Sequence, residues 1–132
     1  MELKTLEEVR EFFKNDTFAT VNGAFIDEIG DNYAKCSIEI NDNHKNAVGG
    51  VMGGVHFMLA DFTFAVASNW QRLGSVSLNS NITFLSTVKG TRLIAEAKCV
   101  KEGKNTNCYQ INVFDDLGNN VALVNITGFR KN

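Results

Sequence analysis

Eighteen consecutive residues from Gly53 to Trp70, GGVHFMLADFTFAVASNW, are apolar nearly all the way round, and this run constrains everything else in the chain. It is longer than an ordinary strand and suits a helix of about five turns, ~27 Å long. A helix with no polar side is a buried helix. The rest of the sequence must therefore supply a surface that encloses it.

The flanking segments read as that surface. Residues 33–40, YAKCSIEI, alternate with Ala34, Cys36, Ile38 and Ile40 on one side and Tyr33, Lys35, Ser37 and Glu39 on the other, the pattern of a half-buried strand. Four further strand-like segments follow the apolar run, at about 75–85, 91–101, 106–114 and 120–129. Turn residues separate them around Gly90, in KEGKN at 101–105 and in DDLGNN at 115–120. Short connections favour an antiparallel meander. Near the start, Thr5 and Glu8 form a capping box ahead of Leu6, Val9, Phe12 and Phe13, so a short amphipathic helix is expected at about 6–14, as a lid or a flank. The order is helix, one or two strands, one long buried helix and four more strands. It suggests an α+β fold in which a curved antiparallel sheet wraps a central helix.

No proline, repeat or linker divides the chain, and 132 residues amount to about one core, so residues 1–132 read as a single domain. A composition of 44% hydrophobic and 21% charged residues excludes a disordered chain. A net charge of -2 gives no basic field for a phosphate backbone, which argues against nucleic acid as a partner. The N-terminus lacks the apolar core of a signal peptide, and no stretch reaches the ~18 apolar residues that span a bilayer. Cys36, Cys99 and Cys108 are odd in number and show no CxxC spacing. They read as reduced core residues of a cytoplasmic protein.

Chemistry points to the same apolar run. Its one carboxylate, Asp61, sits among Leu59, Ala60, Phe62 and Phe64, where an unpaired charge costs several kcal/mol unless a partner or a polar cavity meets it. The run begins at Gly53 and Gly54, where the first NH groups of a helix lack partners and the dipole leaves partial positive charge. Such an end holds an oxyanion, and glycines let a carbonyl come close. Asp61 lies seven residues beyond Gly54, roughly 10 Å along the axis, too far for both groups to meet one carbonyl. Two copies with their central helices side by side and antiparallel would bring Asp61 of one near Gly54 of the other, which predicts a homodimer with two shared sites.

Residues 44–61, HKNAVGGVMGGVHFMLAD, resemble the signature HxNxxGxxHGG followed by apolar residues and Asp. That signature marks the hotdog-fold acyl-CoA thioesterases of the phenylacetate-degradation type. His44, Asn46, Gly49, Gly53, Gly54 and Asp61 stand at the matching positions. The resemblance extends to Phe84, Leu85 and Gly90, to Glu102, Gly103 and Lys104, and to DDLGNNVAL near the C-terminus. It implies a hotdog fold and hydrolysis of an acyl-CoA, aryl or otherwise, with coenzyme A belonging to the substrate and no cofactor. Asp61 would be nucleophile or general base, the Gly54 NH the oxyanion donor, and Asn46 would orient the thioester or the water. Gly53 and Met52 would border the substrate, and Ser68 would stand near the lytic water. A tetramer of two dimers occurs among similar proteins.

One departure is Met52, where the signature has a His that helps position the carbonyl; a thioether gives only a soft apolar contact. His56 reads as a packed helix histidine and not a substitute for it, and His44 as a loop residue bonded to backbone. No His, Cys and carboxylate cluster has metal-ligand spacing. Lys89, Arg92 and Lys104 are the candidates to meet CoA phosphates, with Lys89 preferred. Two other functions fit the same fold: a non-catalytic acyl-CoA binding module, and a dehydratase or hydratase. The latter wants a His and an acid facing one substrate, against which the placing of His44 and His56 argues.

Overall fold

The computed structural model describes residues 2–131. Thr5 opens the first helix, α1 (Leu6–Phe13), by the reciprocal capping expected: its hydroxyl accepts the Glu8 NH at 3.1 Å and the Glu8 carboxylate accepts the Thr5 NH at 3.0 Å. Val9 and Phe13 are its buried residues. A five-residue helix that sequence reasoning did not anticipate, α2 (Thr17–Val21), follows at once. Strands β1 (Phe25–Gly30) and β2 (Tyr33–Glu39) then form a hairpin. The helix α1 is a flank: the Arg10 guanidinium donates to the Ile26 carbonyl at 2.8 Å and lies 4.5 Å from the Phe25 ring centre.

The apolar run is the helix α3 (Gly53–Asn69), and β3 (Ser75–Phe84), β4 (Arg92–Glu102), β5 (Thr106–Asp115) and β6 (Asn120–Arg130) complete the chain. All six strands join one antiparallel sheet in the order β1-β2-β4-β5-β6-β3. The curved sheet with α3 against it is the hotdog layout. Only three of the last four strands form the expected meander: β3 pairs with β6, not β4. Residues 85–91 make the crossing over the ends of β6 and β5. The Leu85 NH donates to Val121 O at 2.8 Å, and the Lys89 and Gly90 NH groups donate to the Asp115 carboxylate at 2.9 and 3.1 Å.

The sheet accepts α3 because its central strands are lined with small side chains. Ala34 and Cys36 on β2 and Ala95 and Ala97 on β4 are fully buried, and α3 packs chiefly on these two strands. Leu59, Phe62, Phe64 and Val66 fill the space that this floor leaves. Each such side chain stabilises the fold by about 1.5–3 kcal/mol when buried. Of the cysteines, only Cys36 is fully buried; Cys99 is intermediate and Cys108 exposed. This corrects the reading of all three as core residues, because Cys108 falls on the outward side of the β5 alternation.

The C-terminal end of α3 is fastened to the sheet. Arg130 is 4% exposed, and its guanidinium donates to the carbonyls of Ser68 and Arg72 and pairs with Glu102 at 3.0 Å. A cation there also favours the negative end of the helix dipole. The Trp70 indole NH donates to Gly30 O at 2.8 Å, and Asn69 exchanges hydrogen bonds with the Ser75 backbone at 2.8 and 3.0 Å. Arg130→Met leaves two carbonyls and a carboxylate without their donor, and urea denaturation is expected to show a loss of about 3 kcal/mol.

Candidate functional site

The N-terminal end of α3 is left open. No side chain caps it, and the Val55 NH turns back to Met52 O at 2.9 Å. Among the described residues the Gly53 and Gly54 NH groups therefore remain without acceptors, as the start of a helix dictates.

The preceding loop is built by Asn46 and His44. The Asn46 side-chain oxygen accepts the NH groups of Val48 and Gly50, both at 3.1 Å, and its backbone NH donates to Gly50 O at 2.7 Å. Gly49 turns the loop at φ +88°, a left-handed conformation that suits glycine. With its oxygen so occupied, the Asn46 amide presents only its NH2 group to the outside. His44 is 2% exposed and is used entirely as a brace. Its Nδ1 accepts the Asn41 NH at 3.0 Å, so the proton sits on Nε2, which donates to Asn22 O at 2.7 Å.

A cavity of about 510 Å³ lies between this loop, the start of α3 and the 84–88 segment. Asn46, Gly53 and His56 share its wall with Phe84, Ser86 and Thr87. Among the described residues that line it there is no carboxylate, and its donors include the Asn46 NH2 group and the Gly53 NH. A Cβ at Gly53 would lie 2.9 Å from the tip of the Phe84 ring, so that partly exposed ring would have to turn aside. Gly54 opens on the other side of the helix end, with Met52, His44 and Met58 around a smaller depression of about 90 Å³.

The structure thus brings Asn46 and Gly53 together and leaves Asp61 apart from them. Asp61 lies half-buried two turns along α3, and burial, followed by the charge of Asp16, raises its carboxyl above the usual range. It belongs to the one stripe of α3 that the sheet does not cover, formed by Gly54, Phe57, Met58, Asp61 and Ala65. Ser68 is not on that open stripe: it is 3% exposed and its hydroxyl donates to Phe64 O at 2.8 Å. Met52 is 51% exposed beside the open helix end. Lys89 is exposed and follows Val88 of the cavity wall. Arg92 is engaged by Asp27 at 2.7 Å and by Ser37 at 2.7 Å. Among the described residues no group of three or more His, Cys, Asp or Glu could hold a metal ion, and no helix is long and apolar enough to cross a membrane.

His56 is the residue that sequence reasoning passed over. It lies one turn beyond Gly53 on the same face of α3, and that face meets the cavity.

Asp115 holds the far wall. Burial alone would raise its carboxyl, but the Asn119 side chain and the NH groups of Lys89, Asn119 and Gly90 outweigh that and hold it well below the usual carboxylate range. These bonds tie Lys89 and Gly90 to the β5–β6 turn.

A protein-family model described as the thioesterase superfamily matches residues 48–122. The chain is 33% identical over 129 residues to a candidate esterase from Archaeoglobus fulgidus, covering 96% of this chain and 84% of that protein. It is 30% identical over 124 residues to the acyl-coenzyme A thioesterase PaaI of Escherichia coli, covering 93% of this chain and 89% of that protein. The solved structure of the E. coli PaaI protein from the phenylacetic acid degradation operon matches with a TM-score of 0.87 at 28% identity, over 92% of this chain and 89% of that one.

Two outcomes follow from this geometry. Gly53→Ala must displace the Phe84 ring and is expected to lower stability by about 1 kcal/mol, whereas Gly54→Ala meets only the mobile Met52 methyl and is expected to leave the thermal midpoint unchanged or slightly raised. Asp115→Asn should lower the thermal midpoint at pH 7. Because the native carboxyl lies below its unfolded value, that difference is full above about pH 4 and closes as pH falls further, which a melting series against pH would show.

Proposed function

Since the chain belongs to the thioesterase superfamily, we propose that it hydrolyses an acyl-CoA thioester to the free acid and CoA, using Asp61 of one subunit against a thioester held at the α3 N-terminus of a second copy. The carrying observation is a mismatch within the single chain. An open, donor-rich helix end and a partly buried, unneutralised carboxylate lie two turns apart on one helix, and neither finds its complement among the described residues of its own chain. A carboxylate and a helix N-terminus are electrostatic partners.

Surface chemistry supports the second copy. The open stripe of α3 is continuous and largely apolar. Beside the sheet, β3 pairs only with β6, which leaves its other edge free over ten residues. That strand and its end expose Val76 (44%), Leu78 (62%), Phe84 (55%) and Leu85 (53%). A long apolar edge is a template for pairing with another chain.

In the reaction, the Gly53 and Gly54 NH groups are the available donors to the thioester oxygen, and the Asn46 NH2 group orients the ester or the water. Asp61 either takes a proton from water as it attacks the carbonyl carbon or attacks that carbon itself. The C–S bond then breaks, and the CoA thiolate leaves and takes up a proton; where Asp61 itself has attacked, water then cleaves the acyl-aspartyl anhydride, which releases the acid and restores the carboxylate. The raised Asp61 carboxyl is the stronger base for this step. Lys89 is an exposed cation that follows Val88 of the cavity wall and is assigned to a CoA phosphate.

Turnover of a panel of acyl-CoA esters tests the reading. Asp61→Asn is expected to lower kcat by two to three orders of magnitude, roughly 3–4 kcal/mol of barrier, with the dimer intact by sedimentation. Mixing inactive Asp61→Asn and Asn46→Ala chains should restore about a quarter of wild-type activity, because half of the dimers are mixed and each carries one complete site. No restoration would mean that each chain works alone; binding of acyl-CoA without turnover by the wild type would identify a binding module.

A further inference from the structure

The cavity at the start of α3 contains an imidazole that the scheme above leaves idle. His56 is 5% exposed and lines the cavity, and its Nδ1 is sealed from solvent with no hydrogen-bond partner. A buried N–H without an acceptor is rarer in proteins than an unused lone pair. The proton of the neutral ring therefore belongs on Nε2, the nitrogen that is not sealed. Burial also pushes this imidazole below its ordinary value, which keeps the ring neutral near pH 7.

Other donors surround the same space. The oxygen of Asn46 is occupied by two backbone NH groups, so its NH2 group is what remains for a ligand. Gly53 and His56 are three residues apart, on one face of α3 and about 4.5 Å along its axis. A single aromatic ring neighbours both: Phe84 has its ring centre 6.0 Å from that of His56, and its tip would lie 2.9 Å from a Cβ at Gly53. The Asn46 NH2 group, the Gly53 NH and the His56 ring lie on one wall with no carboxylate among its described residues, and such donors suit a group that only accepts, as a carbonyl oxygen does.

We propose that His56 Nε2–H donates a hydrogen bond to the acyl carbonyl oxygen of a CoA thioester seated in this cavity, beside the Gly53 NH. This rests on the thioester reading above and adds a substrate-contacting residue to it. It also gives the site a means of distinguishing a thioester from a CoA thioether, which has no carbonyl.

The test reads binding, so it stands whether or not the protein turns thioesters over. Two non-hydrolysable probes are titrated calorimetrically: S-(2-oxopropyl)-CoA, which carries a ketone, and S-isobutyl-CoA, of the same shape without the oxygen. Wild type is expected to prefer the ketone. His56→Phe should reduce that preference by about tenfold with thioether affinity unchanged, and His56→Gln, which returns an N–H to the same region, should recover most of it. Ring-nitrogen NMR of the unsubstituted protein should show the neutral Nε2–H tautomer, with the Nε2 signal shifting on ketone binding and not on thioether binding. An unaltered preference in His56→Phe overturns the proposal. So does an Nδ1–H tautomer, an Nε2 signal blind to the ketone, or a wild type that binds both probes equally. Absent turnover with the preference intact would overturn hydrolysis and leave the His56 assignment standing.

Discussion

A helix without a polar side is stable only where other surfaces remove it from water, and the enclosure of α3 governs the rest of this structure. At about 1.5 Å per residue its 17 residues reach about 25 Å. The ten- and eleven-residue strands β3 to β6 span about 33–36 Å, so the sheet is long enough to cover it from end to end. Alanines and a cysteine on β2 and β4 let the helix sit close. Bulkier residues there would force it off the sheet, since a packed core tolerates little extra volume. The covering fails along one stripe, and that stripe carries Asp61.

The two ends of α3 are treated in opposite ways. At the C-terminal end Arg130, Trp70 and Asn69 join it to β6, the β1–β2 turn and β3, and the Ser68 carbonyl has its donor in Arg130. At the N-terminal end there is no capping side chain, only two glycines beside a cavity. Among the described residues the Gly53 and Gly54 NH groups find no acceptor, so they and the end's share of the dipole are kept for a ligand. Rigidity at one end gives the other a fixed position, which a site built from backbone NH groups needs.

The cavity walls are secured by polar groups that never reach a ligand. His44 joins the loop to the end of α2, the Asn46 oxygen shapes the turn at Gly49, and Asp115 gathers the 88–90 segment onto the β5–β6 turn. These side chains set where the donors stand. Of the two histidines, one is wholly consumed in this way and the other keeps a nitrogen uncommitted, a division that residue type does not reveal.

Local pattern made several features legible. The apolar run forced a buried helix, the alternation at 33–40 placed Ala34, Cys36 and Ile38 inward, Thr5 and Glu8 began α1, and the isolation of Asp61 marked it as a charge in need of a complement. The glycines at the helix start were visible as a place where a carbonyl can approach. Other features were not legible. The pairing of β3 with β6, the exposure of Cys108, the burial of Ser68 and the entry of His56 into the cavity all depend on which distant segment lies alongside. Hydrophobic period and capping chemistry act between residues a few positions apart, so sequence alone determined the elements and the odd charge among them. Strand order and the side of a helix that meets a cavity come from contacts between segments 20 to 60 residues apart, where many pairings bury comparable area, and only the packed chain decides among them.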